Sequence, residues 1–280
     1  MTNTPLVSTA WLADHLNDPL LVVLDATWFM PGDARDAAAD YAAGHVPGAR
    51  FFSIDEISDH STDLPHMLSA PADFAVAARR LGVHAGSTVV VYDAEGLFSA
   101  PRVWWNFRAM GHAAIFVLDG GLPRWVAEGR AVETGWRDAP HGDFKARPEP
   151  RLVRDLDAVR RALDDHGAQI VDARAAGRFT GETPEPRAAL RGGHMPGALN
   201  LPWTSLVANG ALLPCETLKA AFEGAGVDLA APIITTCGSG VSAAVLALAL
   251  AVIGQGDVAV YDGSWSEWGG RTDTPIAVGP

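Results

Sequence analysis

The sequence predicts an α/β protein of two tandem domains, each with a mostly parallel sheet flanked by helices. Two observations lead to this prediction: an internal repeat with a period near half of the 280 residues, and an alternation of short apolar strands with helical segments in each half. A hydrophobic content of 48% is enough for two cores. The expected domains are residues 1–130 and 151–280, joined by a linker at 131–150 that is rich in Gly, Pro and charged residues.

Four pairs of short motifs define the repeat, and they occur in the same order in both halves. Three of the pairs contain short apolar runs, and the other pair is a turn whose Pro and Gly fix the backbone before the next strand. The pairs are the runs at 21–25 and 169–172, the Gly-His-x-Pro-Gly-Ala turns at 44–49 and 193–198, the runs at 88–93 and 233–237, and the segments at 117–125 and 260–268. Helical patterns lie between the motifs, for example at 72–81 and 218–222, so each half is expected to build its own sheet.

The third motif pair differs in its final residue, which is Asp93 in the first half and Cys237 in the second. Only the second half can therefore carry thiol chemistry. Gly238 and Gly240 allow a turn from the apolar strand before Cys237 to an apolar helix at 242–253. Backbone N–H groups at such a turn and the positive end of the helix dipole favour an anion, here the thiolate. A buried structural cysteine is the alternative, but it leaves the Gly-Ser-Gly run unexplained.

Composition argues against several classes of function. A net charge of −12 disfavours nucleic acid as a partner, so an anionic substrate has to be attracted by local arginines and amides. The two cysteines lack metal-ligand spacing, and no dinucleotide or phosphate-loop fingerprint is present, so we expect no metal and no organic cofactor. The N-terminus lacks a basic segment followed by an apolar one, and the apolar helix is too short to span a bilayer. These features predict a cytoplasmic protein that does not enter membranes.

Several motifs resemble those of two-domain sulfurtransferases of the rhodanese superfamily, and are specifically similar to those of 3-mercaptopyruvate sulfurtransferases. The resemblance covers nearly the whole chain, and its motifs are the two Gly-His-x-Pro-Gly-Ala turns and the runs at 99–105, 177–181, 184–187 and 237–241. Thiosulfate-preferring relatives commonly have basic residues directly after the cysteine, whereas Gly238 and Ser239 are neutral here. A neutral loop suits a carboxylate substrate whose sulfur end is uncharged.

The resemblance implies that Arg178 and Arg187 bind the carboxylate and carbonyl of 3-mercaptopyruvate. A guanidinium offers paired donors that match a carboxylate, and it stays charged at any relevant pH. The alternative for each arginine is a surface or salt-bridged position beside Asp172, Glu182 or Glu185. The nearby Arg174 is expected to form a structural ion pair.

The resemblance also implies a hydrogen-bonded set of Ser239, His66 and Asp55. Asp55 would orient the imidazole of His66, and Ser239 would relay a proton near the substrate carbonyl. A packing role in a loop is the alternative for His66. The loop residues Gly238, Gly240, Val241 and Ser242 would stabilise the persulfide.

The predicted reaction begins with attack of the Cys237 thiolate on the sulfur of 3-mercaptopyruvate, which leaves a persulfide and the enolate of pyruvate. The outer sulfur then passes to cyanide, a small thiol or a thioredoxin-type protein. Three alternatives remain: a thiosulfate sulfurtransferase, a persulfide carrier or regulatory module with little turnover, and a cysteine phosphatase. A phosphatase of this fold needs an arginine six positions after the cysteine, where Ala243 stands. A carrier would not need the two arginines.

Overall fold

Each half of the chain folds into a five-stranded parallel sheet with helices around it, as the repeat predicts. The structure is a computed structural model that describes residues 4–280. The chain forms two compact units, which we call unit 1 and unit 2. Unit 1 consists of residues 4–60, 68–149 and 209–212, and unit 2 consists of residues 61–67, 150–208 and 213–280.

In unit 1 the strands are ordered β1-β5-β4-β2-β3, with parallel pairing throughout. The strands are β1 (Leu6–Val7), β2 (Leu21–Asp25), β3 (Arg50–Phe51), β4 (Thr88–Tyr92) and β5 (Ile115–Leu118). The helices are α1 (Thr9–His15), α2 (Ala37–Ala43), α3 (Pro71–Arg80), α4 (Ala100–Ala109) and α5 (Gly121–Ala127). The carboxyl ends of β2 and β4 lie side by side at the centre of this sheet, which places Asp25 and Asp93 near one another.

The sheet of unit 2 has the equivalent order, β6-β12-β11-β7-β8, and is also parallel. Its strands are β6 (Val153–Arg154), β7 (Gln169–Asp172), β8 (Leu199–Asn200), β11 (Ile233–Thr236) and β12 (Ala259–Tyr261). Two further short strands, β9 (Val207–Ala208) and β10 (Ala211–Leu212), lie outside this sheet. The helices are α6 (Leu156–Asp165), α7 (Ala176–Thr180), α8 (Cys215–Gly224), α9 (Ala243–Val252) and α10 (Ser264–Trp268), with single turns of 3₁₀ helix at Pro150–Leu152 and Trp203–Leu206.

Apolar composition explains where the central elements lie. All four residues of β11 are buried, as expected of a parallel strand covered on both faces. Helix α9 is apolar around its whole circumference, and its residues from Ala243 to Leu250 are all buried. The helix predicted at 242–253 is therefore confirmed, with Ser242 as its N-cap residue.

Residues 131–149, which the sequence analysis takes as most of a linker, pack on unit 1. Phe144 is buried, and its amide donates to the carbonyl of Val83 at 3.1 Å. The amide of Arg147 donates to the carbonyl of Met110 at 2.8 Å. These contacts place the segment in unit 1, while the domain boundaries at 130 and 151 stay predictions.

A buried carboxylate, Asp25, ends strand β2. It accepts hydrogen bonds from the amide and the hydroxyl of Thr27, at 2.9 and 2.5 Å. Burial raises the pKa of Asp25, the bonds from Thr27 oppose this rise, and the nearby charge of Asp93 adds to it. The ionised form of Asp25 is therefore less favourable in the folded protein than in the unfolded chain.

We expect Asp25→Asn to flatten the pH dependence of stability. An acid whose pKa is raised on folding stabilises the protein below its unfolded-state pKa, near 3.8, and that contribution is lost as the pH rises through the folded-state value. Urea titrations between about pH 4 and pH 8 should show a smaller fall in unfolding free energy for the variant than for the wild type, because the variant keeps only the contribution of Asp93. The exposed Asp14→Asn is the matched control. Identical pH profiles for Asp25→Asn and the wild type would contradict the argument.

Candidate active site

Cys237 directly follows β11, at the carboxyl end of the sheet in unit 2. Strand β11 lies between β7 and β12, and Thr236 pairs with Asp172. Open parallel sheets bind ligands beyond the carboxyl ends of their strands. The cysteine is 2% exposed, and α9 begins at Ala243. The predicted position of Cys237 between a strand and a buried helix is therefore confirmed.

Helix α10 holds the loop that contains Cys237. The carbonyl of Cys237 accepts from the amide of Trp265 at 2.9 Å, and its amide donates to the hydroxyl of Ser264 at 3.2 Å. The carbonyl of Gly238 accepts from both the amide and the hydroxyl of Ser266, at 2.8 and 2.7 Å. In a trans peptide the C=O and the next N–H point in opposite directions. The N–H groups that follow these two carbonyls are therefore turned away from α10.

The corresponding loop of unit 1 already holds an anion, the side chain of Asp93. One carboxylate oxygen accepts from the backbone N–H groups of residues 98–100, at 2.8 to 2.9 Å, and the other accepts from the amide of Glu95 at 3.0 Å. Burial raises the pKa of Asp93, and these four bonds oppose the rise. Because Asp93 and Cys237 occupy the same place in the repeat, the fold supplies an amide-lined anion position after this strand.

His66 and Ser239 lie together in unit 2. The Nδ1 atom of His66 is 3.0 Å from the hydroxyl oxygen of Ser239, and both side chains are buried. His66 belongs to segment 61–67 and has a φ of 62°, in the left-handed region that residues other than glycine seldom adopt. The structure therefore brings together two members of the predicted set, and His66 makes a specific polar contact in addition to any packing role.

Asp55 lies in unit 1, after β3. Its Oδ2 atom accepts a hydrogen bond from the indole Nε1 of Trp28 at 3.2 Å. Both residues line a cavity of about 490 Å³ within unit 1. The role of Asp55 in orienting His66 stays a prediction.

Arg178, in α7, lies against the glycine that follows Cys237. A Cβ atom built on Gly238 would be 3.0 Å from Nη2 of Arg178. The guanidinium is bound by Glu185, with Nη2 to Oε2 at 2.5 Å and Nε to Oε1 at 3.2 Å. The side chain of Glu185 is 1% exposed and that of Arg178 is 17% exposed. The salt bridge considered as an alternative for Arg178 is therefore present, but it leaves part of the guanidinium accessible.

A second arginine, Arg174, binds the other side of Glu185. Its Nη1 is 2.8 Å from Oε1 of Glu185, and its Nη2 is 2.6 Å from Oδ2 of Asp172. The Arg174 guanidinium also lies over the ring of Trp265 in α10, 4.2 Å from the centroid. Burial alone would lower the pKa of Arg174, but the two carboxylates together raise it. Arg174 thus has the structural pairing that the sequence indicates, and it links Glu185 to α10.

The remaining predicted residues all belong to unit 2. Arg187 is half-buried in the irregular segment after α7, two residues beyond Glu185. Gly240 has a φ of 80°, which suits glycine in the turn before α9. Val241 is buried, and Ser242 begins α9 as its N-cap.

Sequence reasoning missed the residues that hold the site. Ser264 and Ser266 are separated from Cys237 by more than twenty residues, and nothing in the sequence distinguishes them from other serines in turns. Glu185 stands inside the motif at 184–187, but it was considered there only as one possible salt-bridge partner.

Two further observations concern the part of the chain that the structure describes. Within residues 4–280, no three His, Cys, Asp or Glu side chains are grouped so as to hold a metal ion. In the same range, no helix combines the length and apolarity needed to cross a membrane. The absence of a metal and of an organic cofactor stays a prediction.

Known proteins resemble this chain over nearly its whole length. The 3-mercaptopyruvate sulfurtransferase of Escherichia coli strain K12 is 47% identical over 277 residues, which cover 99% of each chain. The thiosulfate sulfurtransferase of Bos taurus is 43% identical over 271 residues, covering 94% of this chain and 91% of that one.

A solved structure and a protein family also match this chain. The crystal structure of SseA from Escherichia coli, which represents the rhodanese fold of 3-mercaptopyruvate sulfotransferases, matches with a TM-score of 0.87 and 46% identity over 94% of this chain and 99% of that chain. The rhodanese-like domain family matches residues 8–128 and 155–271, one match in each half, and this confirms the predicted fold class. The chain therefore belongs to the rhodanese family and carries two rhodanese-like domains in tandem.

Proposed function

We propose that this protein is a 3-mercaptopyruvate sulfurtransferase, which moves the sulfur of 3-mercaptopyruvate through a persulfide on Cys237 and releases pyruvate. The observation that carries the proposal is the guanidinium of Arg178, fixed by buried Glu185 directly against Gly238. A cation in this place can bind an anionic substrate beside the nucleophile. The relative of that name in Escherichia coli supports the same activity.

The loop after Cys237 supports 3-mercaptopyruvate rather than thiosulfate as the sulfur donor. Sequence identity to known proteins does not distinguish the two donors. The thiosulfate sulfurtransferase of Bos taurus is nearly as similar to this chain as the bacterial 3-mercaptopyruvate sulfurtransferase. Gly238 and Ser239 add no charge beside the cysteine, and Arg178 lies where a side chain at position 238 would enter. One guanidinium beside a neutral loop suits a donor with a carboxylate at one end and a thiol at the other.

The proton needed to convert the enolate into pyruvate comes from the thiol group of the substrate. The Cys237 thiolate forms a bond to the thiol sulfur of 3-mercaptopyruvate, the carbon–sulfur bond breaks, and its electron pair leaves as the enolate of pyruvate. Arg178 and Arg187 donate to the carboxylate and carbonyl oxygens, which stabilises the enolate charge. Ser239 and His66 carry the thiol proton to the enolate carbon, so the products are pyruvate and an anionic persulfide.

The persulfide anion then occupies the position in unit 2 that corresponds to the carboxylate of Asp93 in unit 1. Amides of the loop from Gly238 to Ser242 stabilise this anion in the same way. Its outer sulfur reacts with a soft nucleophile, so the acceptor is cyanide, a small thiol or a thioredoxin-type protein. We propose a cytoplasmic location, where such thiols are kept reduced.

Steady-state kinetics with two donors test the proposal. With cyanide as acceptor, kcat/KM for 3-mercaptopyruvate should exceed that for thiosulfate by about tenfold or more, because the neutral loop does not match a doubly charged inorganic anion. A reversed preference would assign the thiosulfate activity instead. A mass increase of about 32 Da, one sulfur atom, without turnover of either donor would indicate a persulfide carrier.

Cys237→Ser should abolish sulfur transfer while the protein stays folded. A serine hydroxyl is not ionised near neutral pH, so we expect a loss of at least about a thousandfold in kcat/KM. Cys215→Ser is the matched control, since Cys215 is exposed and is the only other cysteine. Substantial turnover by Cys237→Ser with an unchanged melting temperature would rule out the nucleophile.

Ser239→Ala and His66→Ala should each lower kcat by about a hundredfold, because each interrupts the same proton path. The double variant should lose little more than either single variant, since residues that act together are not additive. Circular dichroism checks the folding of His66→Ala. Unchanged turnover in both single variants would mean that the hydrogen-bonded pair takes no part in catalysis.

Glu185→Gln should impair substrate binding although Glu185 is a positioning residue. Losing the charge loosens Arg178, and we expect KM for 3-mercaptopyruvate to rise about tenfold with a smaller change in kcat. It also leaves buried Arg174 with one carboxylate, so the free energy of unfolding should fall by about 1 to 3 kcal/mol. The exposed Glu182→Gln is the control. A lower stability with an unchanged KM would limit Glu185 to a structural role.

A further inference from the structure

Unit 1 contains a cavity of about 450 Å³ that the proposed sulfur transfer does not use. It lies beside the edge strand β3 and is lined by Arg50, Arg80, Arg137, His141, Phe51 and Trp136 among others. We propose that this cavity binds a small anion that carries a flat ring, of the class of nucleoside monophosphates. Three arginines and one carboxylate, Asp138, line the cavity, and this excess of positive charge stands out in a chain whose net charge is −12.

The strongest indication is the guanidinium of Arg50. Its Nη1 donates to the carbonyl of Leu81 at 2.5 Å, but its Nε is buried and has no hydrogen-bond partner among the residues that the structure describes. Burial lowers the pKa of Arg50, and the charge of Arg137 lowers it further. A buried donor without an acceptor is costly, so unit 1 retains an arginine at this position although the folding of the unit gains little from it.

The repeat shows that the fold itself does not require a cation in this place. Arg50 and Leu199 hold the same register position on the edge strands β3 and β8. Each faces the glycine that follows the next helix. A Cβ atom built on Gly82 would be 2.6 Å from Nη1 of Arg50, and one built on Gly226 would be 3.7 Å from Cδ2 of Leu199. At the equivalent position, unit 2 therefore packs an apolar side chain against the glycine.

The other arginines of the cavity leave positive charge available. Arg80, in the last turn of α3, is exposed and makes no ion pair within residues 4–280. A cation there suits the helix dipole, but α8 ends without one, at Glu223 and Gly224. Arg137 pairs with Glu133 at 2.7 Å on the exposed side. Arg50 and Arg80 thus remain to bind an anion, and guanidinium groups match the oxygen geometry of a phosphate.

Trp136 supplies an aromatic surface at the same cavity. Its side chain is 66% exposed, and it packs edge-on against Phe51 with the ring centroids 5.9 Å apart. Tyr41 supports it from another side, at 5.1 Å. An exposed indole held in place in this way can stack on a planar ligand. The cavity volume lies within the range of about 300 to 1,000 Å³ for small-molecule sites, and it is too large for phosphate alone.

Calorimetric titration of the full chain with AMP, adenosine and inorganic phosphate tests the proposal. AMP should bind saturably, and adenosine and phosphate should each bind at least about tenfold more weakly, because each lacks one half of the recognised chemistry. No saturable binding of AMP at about 10 mM would overturn the proposal. Phosphate binding as tightly as AMP would overturn the assignment of a ring.

Two variants locate the site. Arg80→Ala and Trp136→Ala should each weaken AMP binding by about tenfold, with unchanged melting temperature and unchanged sulfur transfer. Arg161→Ala, which removes another exposed arginine, is the control and should bind AMP like the wild type. If AMP binds both Arg80→Ala and Trp136→Ala as it binds the wild type, the ligand lies elsewhere and the inference is wrong.

Discussion

The two backbone carbonyls that α10 holds are the constraint on which the rest of the site depends. With the carbonyls of Cys237 and Gly238 bonded to Trp265 and Ser266, the peptide planes of the catalytic loop have one orientation. The same helix carries the ring over which Arg174 lies, and Arg174 shares Glu185 with Arg178. Cys237 and the guanidinium that we propose to bind substrate are therefore both linked to one short helix, by hydrogen bonds, ion pairs and one cation–π contact.

Much of the fold follows from local patterns, because apolar runs of fixed length and repeated turns are written into each half. Buried all-apolar segments such as α9 leave few alternatives. The organisation of units was harder to predict. Residues 131–149 have the composition of a linker, yet Phe144 is buried in unit 1, and segment 61–67 belongs to unit 2. The composition of a segment indicates whether it is polar and rich in turns. It does not indicate with which carbonyl groups the backbone N–H groups of that segment form hydrogen bonds.

Some features of the candidate site could also be predicted from the sequence, and others could not. Cys237 could be found from its strand-to-helix position, and the contact between His66 and Ser239 could be expected from a family resemblance. Ser264 and Ser266 could not, because their role depends on the backbone groups that they reach, the amide of Cys237 and the carbonyl of Gly238, rather than on their residue type. The unusual environment of Arg50 could not be predicted from the sequence. Its Nε loses contact with water only because of how the folded chain packs around it.

Asp93 shows how the half of the repeat that lacks a cysteine keeps the shape of its loop. Its carboxylate fills an anion position within its own loop, so that the loop is satisfied without any sulfur bound. In unit 2 the proposed reaction alternates the thiolate of Cys237 with an anionic persulfide, and the bonds from α10 to the carbonyls of the loop do not depend on which of the two is present. A carboxylate in place of a thiol thus gives the loop of unit 1 a permanent internal acceptor for its amides, and leaves that loop no cysteine with which to accept sulfur.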